Sequence, residues 1–323
     1  QLSQLKSLSG ITSPALIISF VVLGLLPWVV RLVLRVYQRR KAYSTWDKPK
    51  SFDRNIIIIG AGAAGLVSAY IAAVVKAKVT LVETHKMGGD CLNYGCVPSK
   101  ALIKSAKVAH QIKHADHFGL TGVNPSFSFS SVMQRIHQVI AAIAPHDSVE
   151  RYQSLGVEVL QGHAKLISPW CVSITHADGS STQLNSRSII IATGAAPFVP
   201  PLPGLESINY LTSDTLWEHL RSNEQAPKRL VILGGGPIGC ELAQAFARLG
   251  SQVTQVEMLE RLMVKEDEEV SLFVKHALQQ DGVNVLTGHK AIKCGVSELK
   301  SEDNLGNEVT HDVKWLEVGC GER

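Results

Sequence analysis

Acidic side chains are nearly missing from the start of this chain: in the first 50 residues Asp47 stands alone against eight Lys or Arg, a balance of +7. The whole 323-residue chain carries only +4, so the other 273 residues sum to about −3. That distribution argues against a nucleic-acid-binding face on the globular part, because the basic excess belongs to one short segment. Cysteine is sparse too. The six stand at 91, 96, 171, 240, 294 and 320, and only the first two are close together. With no disulfide-scaffold or zinc-ribbon spacing, the pattern fits a reducing compartment, one special pair and no metal site. The chain also lacks an initiating Met, opening on Gln1, and it stops at "WLEVGCGER" without a helix cap or charged tail. Both ends read as cuts in a longer protein. What is present, 45% hydrophobic, is ample for two globular domains with buried cores.

One long apolar run precedes everything else. "ALIISFVVLGLLPWVVRLVL", Ala15 to Leu34, holds a single charge, Arg31, and matches the ~20 residues that cross a bilayer core. Trp28 and Tyr37 are placed for an interfacial belt, while Arg31 and Arg35 can snorkel toward headgroups. Arg35, Arg39, Arg40 and Lys41 follow the run, whereas a signal peptide carries its charge before it. The positive-inside tendency then puts the C-terminal side in the cytoplasm. Pro27 predicts a kink of the kind membrane helices tolerate. "AYSTWDKPKSFDRN" reads as a polar tether.

After the tether, "NIIIIGAGAAGLVSAYIAAVVKAKVTLVE" has the form of a strand, a glycine turn, a helix and a second strand. Gly60 permits the tight turn, Gly62 lets the backbone approach a pyrophosphate, and Gly65 with Ala69 lets the helix lie close to the sheet. Glu83 is placed to accept from ribose hydroxyls. A lone glycine fingerprint is weak, but "RLVILGGGPIGCELAQAFARLGSQVTQVE" repeats it at Gly234, Gly236, Gly239, Ala243 and Glu257, each 174 residues on. The repeat predicts two dinucleotide sites and a relay of electrons between them.

Between the units lies "MGGDCLNYGCVPSKALIKSAK", with Cys91 and Cys96 five positions apart. Five residues of regular helix rise ~7.5 Å, beyond the roughly 6.8 Å limit between disulfide Cα atoms. The pair can bridge only if the backbone departs from helix, which Asn93 and Gly95 allow. Pro98 belongs in a first turn, so regular helix is expected to start near Val97, leaving Cys96 at the positive end of the dipole. Ala101, Leu102, Ala106, Val108, Ala109 and Ile112 are expected on its packed side. Two reduced core thiols or half of a zinc site remain alternatives to a redox pair. The position after a nucleotide-binding unit favours the redox reading.

Taken together, the two fingerprints, "GGDCLNYGCVPSK" and "SIIIATGAAPFVPPLPG" resemble the FAD-dependent pyridine nucleotide-disulfide oxidoreductases, the family of dihydrolipoamide dehydrogenase, glutathione reductase and mercuric reductase. The similarity runs from about Asn55 to the end. Asp90 stands where Thr is more usual, and "ELAQAFARLGSQVT" looks closest to mercuric reductases. The resemblance implies an α/β fold with two Rossmann-like domains, FAD-binding over 52–204 and NAD(P)-binding over 205–323, after a helix and basic tether at 1–51. It also implies that a second FAD segment and a dimerisation domain, which carries the partner subunit's His-Glu acid/base pair, are absent from this chain. FAD contacts fall to Gly60, Gly62, Ala63, Ala64, Gly65, Glu83, Gly89, Asp90, Thr193 and Gly194, and NAD(P)H contacts, with NADH favoured, to Gly234, Gly236, Gly239 and Glu257.

In that scheme Cys96 lies beside the flavin, Cys91 is the outer thiol that attacks substrate, of disulfide, dithiol or Hg(II) type, and Lys100 and Glu241 form an ion pair near the flavin. Pro237 replaces a gating Tyr of some relatives. His110, His114 and His117 read as solvated helix residues. The family's dimerisation domain implies a homodimer at full length, and the upstream span, which resembles the end of a bacterial SNARE-associated-like membrane domain, implies a place at the inner membrane with the catalytic part in the cytoplasm. The rival readings are an NADH:quinone-type flavoprotein and a non-catalytic nucleotide-sensing module of a membrane protein.

Overall fold

The computed structural model describes residues 14–122, 126–302 and 308–320; Gln1 and the last residues of "WLEVGCGER" lie outside them. Helix α1 (Pro14–Tyr43) runs 30 residues straight through Pro27 and takes in Ala42 and Tyr43 from the expected tether. Its large side chains from Ile17 to Val36 are exposed. It is the one helix among the described residues long and apolar enough to cross a membrane.

Beyond it, β1 (Arg54–Ile59), α2 (Ala63–Val74) and β2 (Val79–Glu83) form a parallel βαβ unit. The β-branched run of β1 is buried at Ile57, Ile58 and Ile59, as a strand covered on both faces requires. Then come α3 (Gly89–Asn93), α4 (Cys96–Lys113), α5 (Phe129–Ile143), α6 (Val149–Ser154), β3 (Val157–Gln161), β4 (His163–Ser168), β5 (Cys171–Thr175) and β6 (Ser181–Ile191). The six strands are ordered β3-β2-β1-β6-β5-β4. β3, β2, β1 and the second half of β6 are parallel, while the first half of β6 bends away into an antiparallel meander with β5 and β4.

After α7 (Ser213–His219) a second parallel unit follows: β7 (Arg229–Leu233), α8 (Pro237–Arg248), β8 (Gln252–Glu257), α9 (Glu268–Gln280) and β9 (Asn284–Thr287), with strand order β7-β8-β9. Helices α2 and α8 are both 12 residues long and begin 174 residues apart, the offset of the sequence repeat. An antiparallel pair, β10 (His289–Glu302) and β11 (Glu308–Cys320), follows. β10 is tied to the connection between the units by Cys294 N–H donating to the Pro203 carbonyl at 2.9 Å.

One core joins the two halves. Leu102 of α4, Phe129, Met133 and Ile136 of α5, Trp217 of α7 and Phe246 of α8 share a single buried cluster. Helix α4 is thereby packed on α8. Val108, expected on its packed side, is 41% exposed because that side turns further round the helix. The histidine expectation needs correcting as well. His110 is only partly solvated: its side chain is 34% exposed, its Nδ1 lies 3.2 Å from Asp281 Oδ1, and its ring lies 4.2 Å from that of His114. Asp281, whose side chain is 5% exposed, also accepts from Arg248 Nε and Gln244 Nε2. Burial, followed by the Arg248 charge, holds His110 below its ordinary value. This polar cluster pins the end of α4 to α8 and α9.

Candidate active site

Each βαβ unit turns from strand to helix in the same way. Gly60 and Gly234 take φ of 103° and 109°, and their N–H groups donate to Val82 and Val256 carbonyls, each at 2.8 Å. A Cβ on Gly65 would overlap the Gly60 carbonyl, and one on Gly239 the Gly234 carbonyl, so both helices sit directly on their turns. Gly62 and Gly236 cap α2 and α8 without any side-chain bond. The first N–H groups of each helix have no intrahelical acceptor and, with the dipole, favour an anion there.

The terminal acids do more than the sequence predicts. Glu83 accepts from Ala61 N–H at 2.6 Å and His85 N–H at 2.7 Å, and Glu257 accepts in the same way from Gly235 and Leu259 N–H. Each carboxylate ties its glycine turn to the strand end. With about four acceptor sites per carboxylate, sites for ribose hydroxyls remain. The second turn has a further brace that sequence reasoning missed. Gln255, fully buried in β8, donates from Nε2 to the Gly234 carbonyl at 2.9 Å and to Cys240 Sγ at 3.5 Å. A Gln among the valines of "SQVTQVE" is the one signal that pointed to it.

The cradle fits a dinucleotide at both turns. A Cβ on Gly234 or Gly236 meets nothing within 4 Å, and the nearest atom to one on Gly62 is Gly89 Cα at 3.8 Å. Ala63 and Ala64 are exposed at the head of α2. Thr193 and Gly194, exposed just past β6, border the first turn, with Thr193 Cα 3.2 Å from a Cβ position on Gly60. Pro237 opens α8, where the missing N–H costs nothing.

The cysteines lie on either side of a helix break. Cys91 is in α3, and Cys96 is the first residue of α4, one position earlier than expected. Between them Tyr94 (φ −135°) and Gly95 (φ −104°, ψ −102°) leave helical geometry, and both donate N–H to the Asp90 carbonyl, at 2.8 and 2.6 Å. Asn93 Nδ2 ties the segment to the Met87 and Gly89 carbonyls. The break brings the two free thiols together. Cys91 is half-buried, and burial, followed by the neighbouring Cys96, pushes its thiol up to about 11. Asp90 beside it is raised by burial and by the charge of Asp214 on α7. Lys100, one turn into α4, reaches both carboxylate oxygens of Glu241 on α8, at 2.8 and 2.7 Å.

Trp217 on α7 was not legible as a site residue. It is 4% exposed and donates from Nε1 to the Tyr94 carbonyl at 2.6 Å, at the break between the cysteines. Trp217→Phe keeps the buried ring but leaves that carbonyl without its donor, at about 1 kcal/mol. The expected result is a three- to tenfold shift of the Cys91–Cys96 equilibrium toward the dithiol, about the size such an energy allows. Alkylation of the chain equilibrated in glutathione buffers measures it; an unchanged equilibrium shows that the bond does not position the pair.

Comparison with known proteins agrees with this architecture. The sequence profile of the pyridine nucleotide-disulphide oxidoreductases matches residues 54–323. A mercuric reductase of Bacillus cereus is 31% identical over 255 residues, 79% of this chain and 39% of the relative. A dihydrolipoyl dehydrogenase of Chlamydia pneumoniae is 34% identical, over 82% of this chain and 56% of the relative. Among solved structures, the Cu(II) complex of the HOCl-induced flavoprotein disulfide reductase RclA from Escherichia coli superposes with a TM-score of 0.63 at 24% identity, covering 80% of this chain and 54% of that one. The chain thus spans about half the length of the curated relatives it matches. With paired glycine turns and a profile match over most of its length, the chain belongs to the pyridine nucleotide-disulphide oxidoreductase family of FAD- and NAD(P)-dependent enzymes.

Proposed function

We propose that the protein containing this chain is a membrane-tethered flavoprotein oxidoreductase that passes electrons from NAD(P)H through FAD to a Cys91–Cys96 disulfide and on to a disulfide or Hg(II)-type substrate, or in the reverse direction from a dithiol substrate to NAD(P)+. The observation that carries this is the helix break that separates the two free cysteines by only Tyr94 and Gly95 turned out of helix, on a helix held by Lys100–Glu241 to the helix of the second glycine turn. FAD belongs to 52–204, held by the first turn, Glu83, Gly89, Asp90, Thr193 and Gly194. The nicotinamide coenzyme belongs to 205–323, held by Gly234, Gly236, Gly239 and Glu257. The flavin supplies two-electron transfer between coenzyme and disulfide; the chain supplies the thiols, their spacing and the anion sites.

Cys91, as the outer thiol, needs a base, since a thiol pushed up to about 11 is scarcely ionised at neutral pH. A His-Glu pair from a partner subunit of a homodimer is the reading that supplies it. NADH is favoured over NADPH because Glu257 is held at the strand end by two N–H groups, where it repels a 2′-phosphate. Arg261 is engaged with the Glu266 and Val264 carbonyls. Helix α1 anchors the protein as the end of a SNARE-associated-like membrane domain, and the basic residues that follow its apolar run place the enzyme on the cytoplasmic side of a bacterial inner membrane.

The full-length holoprotein tests the reading. NADH should bleach the flavin, NADPH should do so at least about tenfold less efficiently, and alkylation after reduction should label both Cys91 and Cys96. Absence of bleaching would leave a nucleotide-sensing module. Bleaching without new thiols would leave a quinone-type flavoprotein.

A further inference from the structure

We propose that the face beside the end of α1 is a contact site for anionic phospholipid headgroups, formed by Tyr43, Trp46, the β4–β5 tip and a basic cavity lined by Lys50, Lys78 and Arg187. It rests on the reading of α1 as a membrane span and adds a second contact, which fixes how the nucleotide-binding units are turned toward the bilayer.

The geometry starts from the helix. At 1.5 Å per residue, the apolar run of α1 fills a hydrocarbon core of ~30 Å, and Arg35 to Tyr43 add about 13 Å, which crosses a headgroup layer of roughly 5–8 Å and a few Å more. Tyr43 therefore ends just outside that layer, within the ~8 Å Debye length of its charges, and whatever touches Tyr43 lies there too. Its ring meets Trp170, in the turn between β4 and β5, at 5.2 Å. Beside this contact a groove of about 400 Å³ is lined by Tyr43, Trp46, Leu166, Ile167, Pro169 and Ile191. Leu166 and Ile167, just before that turn, are 46% and 41% exposed, and Ile191, at the end of β6, is 62% exposed. Aromatic rings with apolar bodies and polar tips partition to the headgroup region, so Tyr43, Trp46 and Trp170, beside it, suit dipping into its outer edge.

Charge identifies the lipid. A second cavity, about 250 Å³, lies where the tether enters β1 and is lined by Lys50, Arg54, Asn55, Lys78 and Arg187, with Asp53 the one acid in its lining. Arg54 is committed to Glu158 at 2.6 Å and to Thr80. Lys50, Lys78 and Arg187 are exposed, with Arg187 over the Phe52 ring, and add to the charge that Arg39, Arg40 and Lys41 carry on α1. Each such cation near an anionic leaflet strengthens the attraction to it. A zwitterionic surface would leave this charge uncompensated, which is why anionic headgroups are the occupant.

Fluorescence quenching tests this in the full chain, reconstituted in nanodiscs of phosphatidylcholine alone or with about a quarter phosphatidylglycerol. With Trp28 replaced by Phe, a headgroup-nitroxide lipid should quench Trp46 and Trp170 about twofold more strongly in the anionic discs, and the Lys50→Gln, Lys78→Gln, Arg187→Gln variant should lose that excess. A chain lacking Trp28, Trp46 and Trp170 gives the background. Trp28, read above the same background with acyl-brominated lipid in a Trp46→Phe, Trp170→Phe chain, reports insertion of α1. Quenching of Trp28 with none of Trp46 or Trp170 overturns the proposal and leaves the span reading standing. Equal quenching in the two kinds of disc overturns it as well. An unquenched Trp28 removes the span reading, and the proposal with it.

Discussion

Cys96→Ser should cut NADH-driven disulfide turnover in the full-length holoenzyme by about a thousandfold or more, and Cys91→Ser should do the same, because the pair acts as a unit and neither thiol alone can cycle. What the two variants leave behind should differ. Cys91 is half-buried and pushed up to about 11, so it stays a neutral thiol at pH 7. Cys96 heads α4, where the helix dipole stabilises negative charge, and it is exposed toward the site. Cys91→Ser should therefore keep a long-wavelength absorption from a thiolate against oxidised flavin, and Cys96→Ser should lose it. Titrating both variants by absorbance from pH 6 to pH 9 checks this. Bands of equal strength in the two would overturn the assignment of inner and outer thiol. The order of burial would then have misled us about which sulfur meets the flavin.

The second large effect concerns backbone rather than chemistry. Gly65→Ala places a Cβ on top of the Gly60 carbonyl oxygen, a backbone atom that cannot step aside without opening the turn. The expected cost is about 3 kcal/mol, the upper end of overpacking, together with loss of FAD retention. Gly236→Ala is the matched control. Its φ of −77° suits any residue, and a Cβ there meets nothing within 4 Å, so folding should change by less than about 0.5 kcal/mol. Coenzyme binding at the second turn should still weaken, since the methyl group would stand where a pyrophosphate approaches. Denaturant unfolding of the chain separates the two outcomes. Similar midpoints for both variants would mean that α2 does not need its close seat on the turn.

Much of this architecture was already written in the sequence, and the reason is that it is local. The β-branched run before Gly60, the glycine spacing, the acid at the next strand end and the 174-residue repeat are short-range patterns with short-range causes, and they locate both turns and both βαβ units. The helix break between Cys91 and Cys96 was legible for the same reason, from rise per residue against disulfide reach. Tertiary structure decided the contacts between distant segments. Trp217 meets the Tyr94 carbonyl across 123 residues, and Lys100 meets Glu241 across 141; composition and periodicity say nothing of either, and only family resemblance anticipated the second. Gln255 under the second turn, and the Asp281 cluster that pairs with His110, depend on how α4, α8 and α9 pack together. A side chain's neighbours along the chain set its secondary structure, but the partner that satisfies a buried polar group is set by whichever element the hydrophobic core brings against it.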